Sequence, residues 1–265
     1  MIFGKRNKVK PTVVGLTLGG GGARGFVQVG ALKAFEEMGV TFPLCVGTSA
    51  GSIVGALYSA GIKSDEIIRA AEYIDMSDLH GRLLIKPDDP RKIGRMVYNL
   101  IGDARFENLP KKFAAVATDL KTGKQVVLDR GSVIDAISAS SAYPIVYSPL
   151  KTDGMNLVDG GLTNNIPADV CKMLGADKVV TVDVHASRGS GTDGTGMIDM
   201  LKAMFSIMSA NASVIGLMQS DVVIAPDTTA FSATSKVGYR EMVKLGYDET
   251  MKMRGEIEKL FAAVE

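Results

Sequence analysis

Two glycine-rich stretches constrain this 265-residue chain more than anything else in it: GGGGARG at residues 19–25 and GTSAG at residues 47–51. Each follows a short apolar run and precedes apolar residues at helical spacing. A strand that turns directly into a helix crowds its own backbone, and closely spaced glycines supply the room. The two junctions therefore start a strand–helix–strand–helix order.

The rest of the chain continues it. Apolar runs predict strands at residues 13–18, 44–46, 113–119, 125–128, 156–158, 178–185 and 222–225. Helical periodicity predicts helices at 26–38, ended by Gly39, and at 50–60, 64–74, 93–100, 132–141 and 167–174. A long methionine-rich helix is expected at 197–219, then two more at 236–246 and 248–263. KTGK at 121–124 reads as a hairpin turn, with Gly123 supplying positive φ. SRGSGTDGTG at 187–196 reads as the most flexible segment. Strands alternating with helices imply an α/β fold, a three-layer α/β/α arrangement with a mostly parallel central sheet. A hydrophobic content of 46% is enough to build its core. No linker interrupts the pattern, so the expectation is one domain over 13–265 behind a basic tail at 1–12.

A formal net charge of +1 gives no electrostatic reason to expect nucleic acid. Lys5, Arg6, Lys8 and Lys10 form one basic cluster, which reads as a solvated tail or as a peripheral contact with an anionic membrane surface. The apolar run TVVGLTL is too short and too quickly broken for a signal peptide. The longest uncharged stretch, residues 38–62, is rich in Gly, Ser and Thr and contains Pro43, so it makes a poor membrane span. Two cysteines, Cys45 and Cys171, and two histidines, His80 and His185, fit neither a disulfide framework nor a classical zinc site. The expectation is a cytoplasmic protein with no metal and no cofactor.

Ser49 is the candidate nucleophile. It is central in GTSAG, between Gly47 and Gly51, and the following helix directs its positive end at the turn. The loop Gly20–Gly21–Gly22–Ala23–Arg24–Gly25 directs backbone N–H groups toward one point. Three ligands suit it: a dinucleotide pyrophosphate, a nucleotide phosphate, or the oxyanion formed when Ser49 attacks an ester. The dinucleotide reading wants an acidic residue about 20 positions on, where the chain has Phe42, Pro43 and Leu44. The nucleotide reading lacks the Lys-Ser/Thr end of a P-loop. A nucleophilic serine needs a base. Asp159 with His185 completes the order of a conventional Ser-Asp-His triad; alternatively Asp159, in DGG with Gly160 and Gly161, is itself the base. His80 carries no assigned function.

These motifs in this order resemble the patatin-like phospholipases, over about residues 13–185. GGGARG at 20–25 is similar to the family's oxyanion loop, GTSAG to its nucleophile elbow, ASSAYP at 139–144 to its Ala-Ser…Pro block, and DGG at 159–161 to its catalytic-aspartate motif. Residues 231–252 are similar, more weakly, to the tail of short bacterial members. Leu18–Gly19 stands where plant members carry Asp-Gly, which argues against close plant-type kinship. The resemblance implies a Ser49–Asp159 dyad without histidine, an oxyanion hole from the Gly21 and Gly22 amides, and Arg24 bracing the glycine loop. It implies a lipid or other ester substrate and acyl hydrolysis. Asn164 and Asn165 then either order the Asp159 turn or lie in a surface loop. A triad esterase using His185 and a non-catalytic lipid-binding or regulatory protein on the same fold are the competing functions. Met197, Met200, Met204 and Met208 recur at helical spacing and suit a lid, an interface or core.

Overall fold

The computed structural model describes residues 11–73, 87–144, 146–185, 194 and 196–262. The basic cluster at residues 5–10, His80 and most of the 187–196 stretch lie outside them. The described chain builds a mixed eight-stranded sheet in the order β5-β6-β3-β2-β1-β7-β8, with β4 also on β3. The strands are β1 (Val14–Leu18), β2 (Leu44–Thr48), β3 (Lys112–Asp119), β4 (Lys124–Leu128), β5 (Leu150–Thr152), β6 (Met155–Asp159), β7 (Lys178–Val182) and β8 (Val222–Ile224). The centre, β3-β2-β1-β7-β8, is parallel, and β4, β5 and β6 are antiparallel additions. Every residue of β1 and β2 is buried, which is why both read as unbroken apolar or small-residue runs.

Side-chain alternation along β2 separates two helical layers. Cys45 joins the core shared with α1 (Gly25–Met38), α2 (Ala50–Ser59) and α9 (Tyr239–Lys252), centred on Leu32, Phe35, Phe42 and Met242. Leu44 and Val46 point the other way, into the cluster around Val170 and Cys171 of α6 (Ala168–Met173). The first layer also holds α3 (Ser64–Tyr73), α4 (Arg91–Ile101), α5 (Val133–Ser140) and α10 (Arg254–Phe261). On the sixth helix lies α8 (Val214–Gln219), preceded by α7 (Met197–Ala212).

The sheet decides where the site forms. β4 pairs with residues 115–119 of β3, so β2, paired with 112–116, and β6, paired with 117–119, share the opposite edge. β2 runs parallel to β3 and β6 antiparallel, so their C-terminal ends meet head to head. Thr48 is level with Val116, and Asp159 with Ala117, one rung on.

Several boundaries differ from the sequence expectation, each for a physical reason. The strand expected to reach residue 185 ends at Val182; beyond it the Asp183 carboxylate accepts the His185 N–H at 2.8 Å and turns the chain. A hairpin partner, β5, precedes β6, joined through Asp153 and Gly154, both at positive φ. The methionine-rich helix is interrupted at Ser213. The first of the two expected C-terminal helices does not stop near Gly246. That glycine lies where α9 crosses α1: a Cβ there would stand 1.9 Å from the Val27 carbonyl oxygen, and one at Gly30 would stand 2.0 Å from that of Val243. Gly246 is a close-packing residue inside α9, not its end.

Candidate active site

The turn after β2 holds Ser49 at φ 52° and ψ −125°, one of two non-glycine residues at positive φ among the described residues. An L-residue reaches that region only when its surroundings hold it there. Three contacts do so. Ser52 N–H and Oγ both donate to the Ser49 carbonyl, at 2.8 and 2.7 Å. The Ser49 N–H donates to Ser140 Oγ at 2.9 Å, and that hydroxyl in turn donates to the Val116 carbonyl at 2.6 Å. Small neighbours are obligatory: a Cβ on Gly47 would stand 2.3 Å from the Gly51 carbonyl oxygen, and one on Gly51 would stand 2.1 Å from that of Leu18.

Ser49 Oγ donates to Asp159 Oδ2 at 2.6 Å. The other carboxylate oxygen, Oδ1, accepts the Gly161 N–H at 2.8 Å. The Asp159 backbone is held on both sides, its N–H donating to Ala142 O at 3.0 Å and its carbonyl accepting from Thr118 Oγ1 at 3.1 Å. Asp159 is 3% exposed. Burial raises its pKa from the ordinary carboxylate value to about 6, against the opposing pull of the hydrogen bonds from Ser49 and Gly161. Gly160 lets the turn pass over β3, since a Cβ there would stand 2.2 Å from the Val116 carbonyl oxygen.

The glycine loop lies against the serine: a Cβ on Gly20 would stand 3.2 Å from that of Ser49, and one on Gly25 would stand 3.1 Å from that of Ala50. The Gly20 N–H is used, donating to the Asn165 carbonyl at 3.1 Å. Among the described residues the Gly21 and Gly22 N–H groups donate to no protein acceptor. Gly22 has φ 60°. A second segment straps the loop from outside, with Ala23 N–H donating to Ala233 O at 2.8 Å and Arg24 Nε to Phe231 O at 3.0 Å.

The chain matches the family model described as Patatin-like phospholipase over residues 16–172. It belongs to the patatin-like phospholipase family. An uncharacterized NTE family protein of Mycobacterium bovis is 37% identical over 176 residues, 65% of this chain and 30% of that protein. A lysophospholipase of Aspergillus fumigatus is 31% identical over 209 residues, 74% of this chain and 13% of the fungal protein. This patatin-like chain thus spans less than a third of the length of either relative. In fold it is similar to VipD from Legionella pneumophila, with a TM-score of 0.64 at 16% identity, covering 96% of this chain and 72% of that one.

Within this patatin-like domain, Ser49 and Asp159 are in direct contact and His185 is not between them. A 2.6 Å contact leaves no room for an imidazole ring to relay a proton. His185 Nε2 instead stands 3.4 Å from Ser206 Oγ of α7. Asn164 and Asn165 are not in a surface loop, being 5% and 3% exposed. The Asn164 carbonyl accepts Thr48 Oγ1 at 2.9 Å, tying the DGG turn to the end of β2, while Asn165 anchors Gly20. The only local sequence signal for Ser140 is its place in the ASSAYP block.

Proposed function

We propose that this patatin-like domain is a serine lipid acyl hydrolase working through a Ser49–Asp159 dyad. The observation that carries the proposal is the direct 2.6 Å hydrogen bond from the Ser49 hydroxyl to a buried carboxylate, made from a positive-φ turn. Asp159, with a pKa raised to about 6, is ionised at neutral pH and basic enough to take the hydroxyl proton. Ser49 Oγ then forms a bond to the ester carbonyl carbon, and the carbonyl oxygen becomes an oxyanion. The Gly21 and Gly22 N–H groups are its donors in this scheme. Collapse of the tetrahedral intermediate expels the alcohol, which takes the proton from Asp159, and leaves Ser49 acylated. Asp159 next deprotonates a water that attacks the acyl carbon, and the carboxylic acid departs as Ser49 Oγ recovers its proton.

Arg24 braces the glycine loop through the Phe231 carbonyl and has no substrate contact in the scheme. Gly20, Gly25, Gly47, Gly51, Gly160 and Gly161 serve by what they leave out, a Cβ that would push the elbow, loop and aspartate turn apart. The reaction calls on water alone, without metal or cofactor. A lysophospholipid is the first substrate to test, because the fungal relative is named a lysophospholipase. The proposal includes a reducing, cytoplasmic setting, in keeping with the two buried free thiols, Cys45 and Cys171. The test is hydrolysis of p-nitrophenyl butyrate and of a lysophospholipid by the wild type and Ser49→Ala. Turnover by the first and none by the second is expected; a wild type inert on both would overturn the proposal.

A further inference from the structure

Helix α7 is built inside out for a helix in water. Its inner side packs on the turn that carries Asp159: a Cβ on Gly161 would stand 3.0 Å from Ser209 Oγ and 3.2 Å from the Phe205 ring. Phe205 also meets Tyr143 edge-on, with ring centroids 4.5 Å apart. The outer side carries Met197, Met200, Leu201, Met204, Ile207 and Met208, each between 43% and 73% exposed. At 100° per residue these six fall within a stripe about 120° wide, and the two charged residues of the helix, Asp199 and Lys202, project on the far side of it. A helix packed on a globular domain normally turns its apolar stripe inward. The apolar surface continues onto α8, where Val214, Ile215 and Met218 are 52%, 65% and 80% exposed.

We propose that this face docks into the interfacial region of a phospholipid layer and holds the layer beside the Ser49–Asp159 site; the inference rests on the lipid-hydrolase reading above. Three observations select a lipid layer as the occupant. The face is continuous with the site, because the same helix that presents it packs its other side on the aspartate turn. It is uncharged, and four of its six residues are methionines, whose unbranched thioethers adapt to a fluid acyl layer. Its anchoring fits a helix that lies on a membrane. By length and composition residues 197–219 could span one, but the junction of α7 and α8 is tied down at its middle. Asn165 Nδ2 donates to the buried Ser213 Oγ at 3.3 Å, and a Cβ on Gly216 would stand 1.7 Å from the Ile166 carbonyl oxygen. A helix so fixed to the domain lies in the interfacial plane.

The chain contains no tryptophan, so one introduced residue is a unique reporter. Full-length Met204→Trp and Tyr73→Trp are mixed with phosphatidylcholine vesicles, with and without brominated acyl chains. Tyr73, 88% exposed on α3 in the opposite layer, is the control. The docking surface predicts a blue shift and bromine quenching for Met204→Trp and neither for Tyr73→Trp. Adding Met200→Lys or Met208→Lys to Met204→Trp should weaken vesicle partition by about tenfold for each methionine removed, with thermal unfolding checking that each variant is folded. No shift with vesicles, equal quenching of both probes, or a shift that grows with protein concentration in the absence of lipid, as a second copy would produce, overturns the inference. The readout does not involve turnover. A protein that docks without hydrolysing lipid contradicts the proposed function alone, and one that hydrolyses without docking contradicts this inference alone.

Discussion

Ser49 and Asp159, 110 residues apart in sequence, share a hydrogen bond because β2 and β6 run head to head along one edge of β3. The carboxylate is buried to receive that bond, and burial is what raises its pKa to about 6. Asp159→Asn keeps the shape and removes the proposed base. Turnover should fall by about 10²–10⁴-fold. The same change should stabilise the fold. A carboxyl whose folded pKa lies above its unfolded value penalises folding fully above the folded pKa, and the penalty fades as pH drops toward the unfolded one. The penalty here is roughly 3 kcal/mol. Thermal unfolding should therefore show Asp159→Asn melting several degrees above wild type at pH 8, with the difference vanishing near pH 4.

The pH dependence of kcat/KM should have one acid limb near pH 6, falling about tenfold per pH unit below it as Asp159 takes up its proton. Histidine titrates close by, near 6.5, so the deciding comparison is His185→Ala. The limb should stay where it is in that variant. A limb that disappears with the imidazole would assign the base to His185.

Ser140 is expected to be a positioning residue. Its hydroxyl accepts the Ser49 N–H and donates to Val116 O, linking the elbow to β3. Ser140→Ala leaves the Ser49 N–H without its acceptor, a loss of about 1–3 kcal/mol, and frees Ser49 to relax from positive φ. Steady-state kinetics should show kcat lowered by roughly 10–100-fold, with KM and the acid limb little changed.

Gly22 cannot accept a side chain without moving the glycine loop: φ is 60°, and a Cβ would stand 2.2 Å from the Ala233 carbonyl oxygen. Gly22→Ala should displace the Gly22 N–H, which donates to no protein acceptor among the described residues, and reduce kcat by about 10²–10³-fold, the usual loss for one oxyanion donor. Circular dichroism should show the fold retained.

What was legible in the sequence is what local chemistry dictates. The two strand-to-helix junctions, the KTGK hairpin and the parallel core follow from glycine placement and continuous apolar runs, and β1, β2, β3 and β4 lie where those signals put them. The β5–β6 hairpin had its own signal, Asp153–Gly154, but β5 is three residues long and too short to show a period. Gly246 carried a misleading one, because a glycine that admits a neighbouring helix reads locally like a helix stop. The break at Ser213 has no glycine or proline to announce it; the buried hydroxyl donates to Ser209 O and accepts from Asn165. The role of Ser140 was not legible, and the sequence left Asn164 and Asn165 between ordering the Asp159 turn and a surface loop, because each depends on a partner brought in by the fold. The meeting of Ser49 with Asp159 is of the same kind: the motifs name the two residues, and only the shared edge of β3 joins them.

The dyad is tested most directly by covalent capture. A fluorophosphonate should add once to the wild type, at the peptide containing Ser49, as read by intact and peptide mass. Labelling should be lost in Ser49→Ala, slowed by orders of magnitude in Asp159→Asn, and unchanged in His185→Ala. An adduct on another residue, or a His185→Ala variant as inert as Asp159→Asn, would contradict the Ser49–Asp159 account.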